Sequence, residues 1–428
     1  MSSIALTLKR QGFVVSGYDS TRGIFTEIVE ENGIHVDYDV DAIDTCGVAL
    51  AVYTAAIKED SDLIKGLRAR GIECVVRAEF LGELMKSYKN RVGVCGTHGK
   101  STTSGMIASI FMKELDPTVM IGAGLRGLVG GFRAGDDEDF IFEACEYKDS
   151  FLSFSPTVSV VLNVELDHTD YFKSLEQMKE SFVKFVDISN TNGGVAVVNF
   201  DNANARECAV RSGADVFFYS TRNDKADVFA KNITEKRGRF SFDAFVKGEF
   251  FTHVDLSVAG EFQVGNALAA VAVSYLRKIS PETVSKGLSE YTGVSRRFEF
   301  RKLYNGAEIR DDYAHHPDEI RETLSSCKNM GFERIFVIYQ PHTYTRTHDL
   351  FDAFSKAFDG CDEVVFADIY AAREVNVSGV TSAYLAEKTP NGKYVGDFEE
   401  ISEYMRGKLR EGDLLIIMGA GDIINLEI

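Results

Sequence analysis

The chain has 428 residues, 45% of them hydrophobic and 26% charged, which leaves room for several domains and a large buried core. Its formal net charge of -18 argues against a nucleic-acid binder, because binding to a phosphate backbone needs clustered Lys and Arg. No apolar run approaches the roughly 18 residues that span a bilayer. The seven cysteines show neither Cys-x-x-Cys nor other metal-type spacing. We therefore expect a cytoplasmic protein with reduced thiols and no membrane insertion.

Residues 1 to about 88 alternate helix-like and strand-like segments, which predicts a Rossmann-like α/β domain with a parallel sheet. The segments are a helix, SSIALTLKRQG, and two strands, FVVSGYD and VALAVYTAAI. Asp19 closes the strand FVVSGYD, which corresponds to the second strand of a Rossmann-like domain, where such domains place an acid that binds a ribose hydroxyl. Such domains normally begin with a strand and a glycine-rich turn, whereas this chain opens in the helix. We expect either an unusual domain or one that lacks its first strand and phosphate loop.

Two further α/β sections follow. The second contains the apolar strands VGVC, DFIFEACE, TVSVVLNVE and GGVAVVNF, then the alternating segments RFSFDAF and FTHVDLSV, and then a buried helix, NALAAVAVSYLRKI. The third begins near GVSRRFEF and contains AEIRDD, a helix after Pro317, RIFVIY, EVVFADIY and DLLIIMGAG. Pro317 suits the first turn of a helix, where its missing N–H is not needed. The sequence therefore predicts three α/β domains of unequal size.

The segment GTHGKS, residues 96–101, joins the VGVC strand to a helix-like pattern. Its glycines allow backbone N–H groups to turn inward around an anion, and the helix adds the positive end of its dipole. Lys100 would reach the β- and γ-phosphates of a nucleotide, and the Ser101 hydroxyl would ligate Mg²⁺. The strict phosphate-loop pattern requires glycine at the position of Val94. An ordinary strand-to-helix turn therefore stays open as the alternative.

Acidic and histidine side chains follow two other predicted strands. Glu143 ends DFIFE, and Asn163, Glu165, Asp167 and His168 follow the strand TVSVVL. Because ligand sites of parallel sheets form at the carboxyl ends of strands, these residues should lie on the same edge as GTHGKS. Glu143 and His168 could then hold one Mg²⁺ while Ser101 holds another. An acid after a strand is often only a helix cap, but two such strand ends beside a Lys-Ser loop favour phosphoryl transfer.

Motifs in a fixed order cover nearly the whole chain: GTHGKST, EACEYKDSF, NVELDHTDYF, SRRFEF, DDYAHHPDEI, QPHTYTRT, DIYAARE and MGAGDI. Together they closely resemble the alanine-adding members of the Mur ligase family. The resemblance implies a UDP-sugar-binding Rossmann-like domain (1–88), a central P-loop ATPase domain (89–294) and a C-terminal Rossmann-like ligase domain (295–428). It also implies ATP-dependent ligation of L-alanine to the lactyl carboxylate of UDP-N-acetylmuramate, through an acyl phosphate, in peptidoglycan precursor synthesis.

The resemblance also assigns roles to individual residues. Nucleotide binding falls on Gly96, Thr97, His98, Gly99, Lys100, Ser101, Thr102, Asn266, Arg297 and Asp312. Catalysis falls on Lys100, Glu143, His168 and Arg297, and Mg²⁺ binding on Ser101, Glu143 and His168. Asn266 would contact adenine, Arg297 the ATP phosphates and Asp312 the ATP ribose. Substrate binding falls on Asp19, His316 and Arg346, the last two near the muramoyl carboxylate and the amino acid. Without the resemblance, Arg297 and Arg346 could equally form surface ion pairs.

The chain departs from the family pattern at three positions. Phe262 and Gln263 stand where His and Asn are common, and Thr343 stands where many members have a second arginine. We therefore expect carboxylate binding to depend more on Arg346. Two alternatives stay open: a recycling ligase that attaches a whole tripeptide, and a relative that binds nucleotide without catalysis. The same fold and loop also serve the later ligases of the pathway and folylpolyglutamate synthetase. The sequence leaves the oligomeric state open.

Overall fold

The computed structural model describes residues 1–54, 56–125, 128, 130–168, 171–328, 330–372 and 374–428. These residues form two compact units. The first unit comprises residues 1–231, 243–252 and 265–288, and the second comprises 232–242, 253–264 and 289–428. The first unit thus contains the first section of the sequence together with most of the second. None of the described helices is both long enough and apolar enough to cross a bilayer.

The N-terminal elements of the first unit alternate between helix and strand, as predicted. They are α1 (Ser2–Arg10), β1 (Ser16–Tyr18), α2 (Ile24–Glu31), β2 (His35–Asp37), a 3₁₀ turn (Val40–Ala42), β3 (Leu50–Tyr53), α3 (Asp62–Ala69), β4 (Glu73–Val76) and α4 (Arg77–Met85). In this part of the described chain, β1 pairs with β2 and β3 with β4, both in parallel, as separate two-stranded sheets. The predicted parallel pairing is confirmed, although β1 is shorter than the predicted strand because Phe13 and Val14 lie exposed before it.

The central elements build a larger sheet. They are β5 (Asn90–Cys95), α5 (Lys100–Phe111), β6 (Thr118–Met120), β7 (Phe132–Arg133), β8 (Asp139–Glu143), a 3₁₀ stretch (Tyr147–Ser153), β9 (Val158–Val161), α6 (Leu175–Thr191), β10 (Val195–Asn199), α7 (Ala203–Ser212), β11 (Val216–Ser220), β12 (Val228–Lys236), β13 (Arg239–Val246), β14 (Glu249–Ala259), α8 (Phe262–Leu276) and α9 (Pro281–Ser289). The strand order is β14-β13-β12-β11-β10-β9-β5-β8-β6-β7. From β12 to β6 all pairs are parallel, and β7 is antiparallel to β6.

This order places β5 in the interior of the sheet, between β9 and β8. Parallel strands are covered on both faces, which is why the strands of this section read as nearly continuous apolar runs. Phe140 and Phe142 of β8 are buried in the same core as Phe182 and Phe185 of α6. The loops that follow β5, β8 and β9 therefore emerge together at one edge of a well-packed sheet.

A buried ion pair fixes α8 to the start of β8. The Arg277 guanidinium donates to both carboxylate oxygens of Asp139, at 2.7 and 2.9 Å, and Asp139 is only 1% exposed. We expect Arg277→Ala to lower the free energy of unfolding by about 3 kcal/mol, because it leaves a buried carboxylate unpaired. Urea unfolding of the full chain measures this. The control is Lys86→Ala, which removes an exposed ion pair with Glu83 and should cost less than about 0.5 kcal/mol; equal losses would contradict the expectation.

The second unit contains the C-terminal elements. They are β15 (Glu299–Tyr304), β16 (Ala307–Asp312), α10 (Pro317–Cys327), β17 (Arg334–Tyr339), α11 (Tyr344–Asp349), α12 (Phe351–Phe354), β18 (Glu363–Ala367), α13 (Ser382–Lys388), β19 (Gly392–Gly396), α14 (Phe398–Arg406), β20 (Asp413–Met418) and a 3₁₀ turn (Asp422–Asn425). Their sheet has the order β15-β16-β20-β17-β18-β19. It is parallel except for β15, which pairs antiparallel with β16. The predicted strands of this section and the helix at Pro317 are confirmed.

Alternate residues of β17 enter two different cores. Val337 and Tyr339 pack on one face of the sheet, with residues of α10 and α13, whereas Phe336 and Ile338 pack on the other, with residues of α14. Both faces are thus covered by helices, which is the doubly wound arrangement expected from the continuous apolar segments RIFVIY and DLLIIM. Among the predicted site residues of the second unit, Asp312 and His316 lie at the carboxyl end of β16, Arg346 follows β17, and Arg297 precedes β15.

Candidate active site

The loop between β5 and α5 requires glycine at two positions. Gly96 and Gly99 have φ angles of +142° and +85°, in a region that residues with a side chain rarely adopt. A Cβ atom on Gly96 would lie 3.0 Å from the Cβ of Leu162, and one on Gly99 would lie 3.0 Å from Oδ1 of Asn266. The two glycines therefore allow close packing of the loop. Asn266, the predicted adenine contact, lies directly against it.

Side-chain and backbone hydrogen bonds from the segment after β9 fix the shape of this loop. The Asn163 carboxamide accepts from the His98 N–H at 2.8 Å and donates to the His98 carbonyl at 3.1 Å. The Thr97 hydroxyl donates to the Glu165 carbonyl at 3.0 Å and accepts from the Glu165 N–H at 2.9 Å. The predicted phosphate loop is thus held in place by protein contacts alone, and this preorganisation suits anion binding.

Three charged or polar side chains meet beside the loop: Lys100, Glu146 and His168. The Lys100 ammonium donates to the Gly96 carbonyl at 2.6 Å and to Oε1 of Glu146 at 3.1 Å. Nε2 of His168 lies 3.5 Å from the same Glu146 oxygen, and the Glu146 side chain is completely buried. The first turn of α5, the turn after β8 and the segment after β9 therefore converge, as the parallel sheet predicts.

The ion pair keeps both of its members charged. Burial by itself would lower the pKa of Lys100, but the charge and hydrogen bond of Glu146, together with Cys145 and Glu143, outweigh burial, so that the pKa is raised. Burial by itself would raise the pKa of Glu146, but the charge of Lys100 and a hydrogen bond from His168 lower it below its ordinary value. A fixed positive charge therefore stands beside the phosphate loop at neutral pH.

The carboxylates of Glu143 and Glu146 beside the loop could ligate a cation. Glu143 ends β8 as predicted and lies against Gly122, whose Cβ would be 2.8 Å from Oε2 of Glu143. Among the described residues, Oε1 of Glu143 is buried and accepts no hydrogen bond, whereas Oε2 of Glu146 lies 3.1 Å from the Lys100 ammonium. A buried carboxylate oxygen without a donor suits a hard divalent cation. With Ser101 in the first turn of α5 and His168 nearby, the residues fit Mg²⁺.

In the second unit, Arg297 belongs to a cluster of arginine and aromatic side chains. Its Nη1 lies 3.2 Å from Oε1 of Glu319, and its guanidinium lies 5.4 Å from the centre of the Tyr313 ring. Arg296 stacks on the same ring at 4.8 Å and donates to the Gly419 carbonyl at 2.7 Å. The motifs SRRFEF, DDYAHHPDEI and MGAGDI, which are far apart in the sequence, thus come together.

Asp312 and His316 lie close to this cluster. Asp312 ends β16, is buried, and accepts from the N–H groups of Phe298 and Ala314 at 3.0 and 2.7 Å. Burial raises the pKa of Asp312 to about 6, although the charge of Arg297 opposes the shift. His316 is the N-cap of α10 and accepts from the Asp318 N–H at 3.3 Å. The geometry therefore gives His316 a structural contact in addition to its predicted substrate contact.

Arg346 lies in α11, next to the residue that replaces a family arginine. Its Nη1 is 3.4 Å from Nδ1 of His342, and the His342 ring stacks on Tyr370 with centroids 5.5 Å apart. Thr343 caps α11 with a φ of +68°, which is strained for a β-branched residue. Such strain is common at functional sites. The segments QPHTYTRT and DIYA are thus joined; Arg373, the next arginine of the motif, lies outside the described residues.

The environment of His342 predicts a pH dependence of stability. Burial and the charge of Arg346 lower the pKa of His342 from 6.5 to about 4. The unfolded chain therefore binds a proton near pH 6.5 that the folded chain does not, so stability falls as the pH drops from about 6.5 towards 4. We expect His342→Gln to reduce the loss of unfolding free energy between pH 7 and pH 5 by about 1 kcal/mol, allowing for solvent screening. Urea unfolding at both pH values measures this, and an unchanged loss would contradict it.

The remaining predicted residues have simpler surroundings. Asp19 lies at the carboxyl end of β1, where its carboxylate accepts from the Thr21 N–H at 3.1 Å. Thr102 lies in the first turn of α5. Of the two departures before α8, Phe262 is 43% exposed, whereas Gln263 is buried. The predicted residues form two groups, one in each compact unit: Lys100, His168 and Asn266 belong to the first, and Arg297, Asp312 and Arg346 to the second.

Glu146 is absent from the residues that the sequence pattern predicts, whereas Glu143 is among them. Both lie in EACEYKDSF, but only Glu143 ends an apolar strand, and the strand pattern stops there. The chain then turns so that Glu146 enters the interior beside Lys100. One signal in the sequence could have indicated Glu146: it is a second acid, three residues after the end of the strand, in a stretch without apolar periodicity. The role of Glu143 in catalysis and Mg²⁺ binding stays a prediction.

Comparisons with known proteins match all three sections. Family models described as Mur ligase family, catalytic domain; Mur ligase middle domain; and Mur ligase, glutamate ligase domain match residues 1–89, 94–274 and 296–421. A UDP-N-acetylmuramate--L-alanine ligase from Caldicellulosiruptor saccharolyticus is 42% identical over 99% of this chain and 94% of the relative. One from Acetivibrio thermocellus is 41% identical over 99% and 91%. The crystal structure of a UDP-N-acetylmuramate-alanine ligase from Thermotoga maritima matches the fold with a TM-score of 0.82 at 24% identity, covering 99% and 94%.

Proposed function

Because this chain belongs to the Mur ligase family, we propose that it joins L-alanine to the lactyl carboxylate of UDP-N-acetylmuramate, with ATP, in peptidoglycan precursor synthesis. Relatives that carry this activity in their names are 40–42% identical to nearly the whole chain. The observation that carries the proposal is the buried ion pair of Lys100 and Glu146 beside a glycine-dependent phosphate loop. A fixed positive charge beside such a loop supports the transfer of a phosphoryl group there.

The chemistry requires activation of a carboxylate. A carboxylate resists nucleophiles until one of its oxygens becomes part of a phosphate leaving group. The lactyl carboxylate attacks the γ-phosphorus of ATP, ADP leaves, and an acyl phosphate forms. The neutral amine of L-alanine then attacks the carbonyl carbon and loses a proton, and inorganic phosphate leaves. Backbone N–H groups at the start of α5 bind the phosphates, whereas those of Thr97 and His98 donate to Asn163 and shape the loop. Lys100 stabilises the negative charge on the transferring group, which is greatest in the transition state.

We assign Mg²⁺ to the side chains around the loop. Glu146, His168 and Ser101 would hold it, with Glu143 close by; when bound, Mg²⁺ neutralises phosphate charge. Glu146 also orients the Lys100 ammonium at 3.1 Å. In the second unit we assign the ATP phosphates to Arg297, the ATP ribose to Asp312, and the carboxylate of the amino acid to Arg346. Burial keeps Asp312 in a defined position, since it is only 5% exposed, and the ion pair with Glu319 holds Arg297.

The choice of amino acid tests the proposal against the tripeptide-adding alternative. We expect L-alanine to support phosphate release far better than D-glutamate or a tripeptide. Glycine and L-serine should reach about a tenth to a hundredth of the rate with L-alanine, because a methyl-sized pocket discriminates only modestly. The measurement is release of inorganic phosphate by the full chain with ATP and UDP-N-acetylmuramate, one amine at a time. A preference for the tripeptide would indicate the recycling ligase, and no release with any amine would indicate a non-catalytic relative.

A further inference from the structure

The two segments that carry Glu146 and His168 contain an unusual amount of backbone strain. Lys148, Asp149 and His168 have φ angles of +54°, +58° and +52°. Residues with a side chain seldom adopt such angles, and two in succession are rarer still. Glycine would relieve the strain, yet none of these positions has glycine. Strain of this kind persists only where surrounding contacts enforce it, and it is concentrated at functional sites.

Contacts between the two segments supply that constraint. The ring of Tyr147 packs on the ring of His168 with centroids 4.8 Å apart. The Tyr171 hydroxyl donates to Oδ2 of Asp149 at 2.6 Å. Each segment is also braced internally: the Asp149 N–H donates to the Glu146 carbonyl at 2.9 Å, and the Tyr171 N–H donates to the His168 carbonyl at 2.8 Å. The strained residues thus join the turn after β8 to the segment after β9.

The side chains of Glu146 and His168 contact each other directly through Oε1 of Glu146 and Nε2 of His168. The contacts described above lie on either side of this one. The direct contact is long, at 3.5 Å, and cannot by itself fix the separation of the two groups. Tyr147 follows Glu146 directly and contacts the His168 ring, whereas Asp149 and Tyr171 join the segments three residues beyond each group. The tyrosines therefore restrict the rotation of the His168 imidazole. They also restrict the distance between the segment after β9, which carries His168, and the turn after β8, which carries Glu146.

We propose that Tyr147 and the Asp149–Tyr171 pair are positioning residues that hold Glu146 and His168 at the spacing required by a divalent cation. The inference rests on the proposed function, since it concerns the same cation site. It predicts that the tyrosines act through metal affinity. Partners that orient metal ligands typically change metal affinity when they are removed, while the ligands themselves stay in place.

The experiment measures Mn²⁺ binding to the full chain by electron paramagnetic resonance in the presence of ADP, so that no turnover is needed. A titration of Mn²⁺ into ADP alone is the blank. The variants are Tyr171→Phe, which removes only the hydroxyl, and Tyr147→Leu, which removes the ring. Tyr147→Phe keeps the ring. The matched control is Tyr394→Phe, because the Tyr394 hydroxyl makes a similar bond to Asp368, at 2.7 Å, in the second unit.

Tyr171→Phe and Tyr147→Leu should each weaken Mn²⁺ binding by about tenfold, with Tyr147→Phe and Tyr394→Phe within about twofold of the wild type. The Mg²⁺ concentration for half-maximal phosphate release should rise in parallel, with kcat at saturating Mg²⁺ little changed. Thermal unfolding shows that each variant is folded at the assay temperature. Unchanged Mn²⁺ binding in both folded variants, with normal binding by the wild type, would overturn the positioning role alone. Failure of the wild type to bind Mn²⁺ with ADP would instead overturn the proposed function.

Discussion

Lys100→Ala is expected to lower the rate of phosphate release by about a hundredfold or more, because it removes a charge that acts mainly on the transition state. The lysine is held by the Gly96 carbonyl and Glu146, which fix its charge beside the loop. The measurement is phosphate release with ATP, UDP-N-acetylmuramate and L-alanine, all saturating.

The control for this variant is Lys184→Ala. Lys184 is an exposed lysine of α6, and its removal should leave the rate within about twofold of the wild type. If Lys100→Ala retains the rate within a factor of about three, the assignment of the phosphate loop is wrong.

Glu146→Gln should have an effect of similar size. The amide keeps the shape of the side chain but loses the charge, so that buried Lys100 loses its partner and the cation site loses a carboxylate. We expect a loss in kcat of about a hundredfold or more, together with a higher Mg²⁺ requirement. Glu143→Gln is the matched comparison, because Glu143 lies on the same edge of the sheet but has no ion pair to Lys100 among the described contacts.

The comparison of the two variants decides between the sequence-based and the structure-based assignment. A larger loss for Glu146→Gln supports the geometry around Lys100. A loss confined to Glu143→Gln would support Glu143, the acid that the sequence pattern predicts, as the catalytic and metal-binding residue. Both rates are measured over a range of Mg²⁺ concentrations, since a weaker cation site is partly compensated by more cation.

The strands and the main helices followed from local patterns in the sequence. RIFVIY and DLLIIM are apolar on every residue that faces a core, as buried parallel strands must be, and Pro317 marks the start of α10. The separation of β1–β2 from β3–β4 was not predictable, because short strands carry no signal for their neighbours in the sheet. The pairing of β15 with β16 was not predictable either, because Phe300 and Leu303 of β15 are exposed and the segment lacks the apolar pattern of a buried strand.

Site residues that belong to a sequence motif or follow a predicted strand were predictable from the sequence. A residue whose position depends on the conformation of a turn was not. GTHGKS located Lys100, and the rule on strand ends located Glu143 and His168 on the same edge. The position of Glu146 depends on the path of the chain after β8, including the left-handed Lys148 and Asp149. Propensities cannot predict such a turn, because non-glycine residues with these angles are enforced by tertiary contacts.

The most direct test of the central claim follows the oxygen atoms of the carboxylate. The full chain is incubated with ATP, L-alanine and UDP-N-acetylmuramate that carries ¹⁸O at both oxygens of its lactyl carboxylate. Mass spectrometry then measures the ¹⁸O content of the released phosphate and of the amide product. If the carboxylate attacks the γ-phosphate, every phosphate released carries one ¹⁸O and the new amide retains the other. Unlabelled phosphate released in step with an amide product, or phosphate released without any amide, would contradict activation through an acyl phosphate.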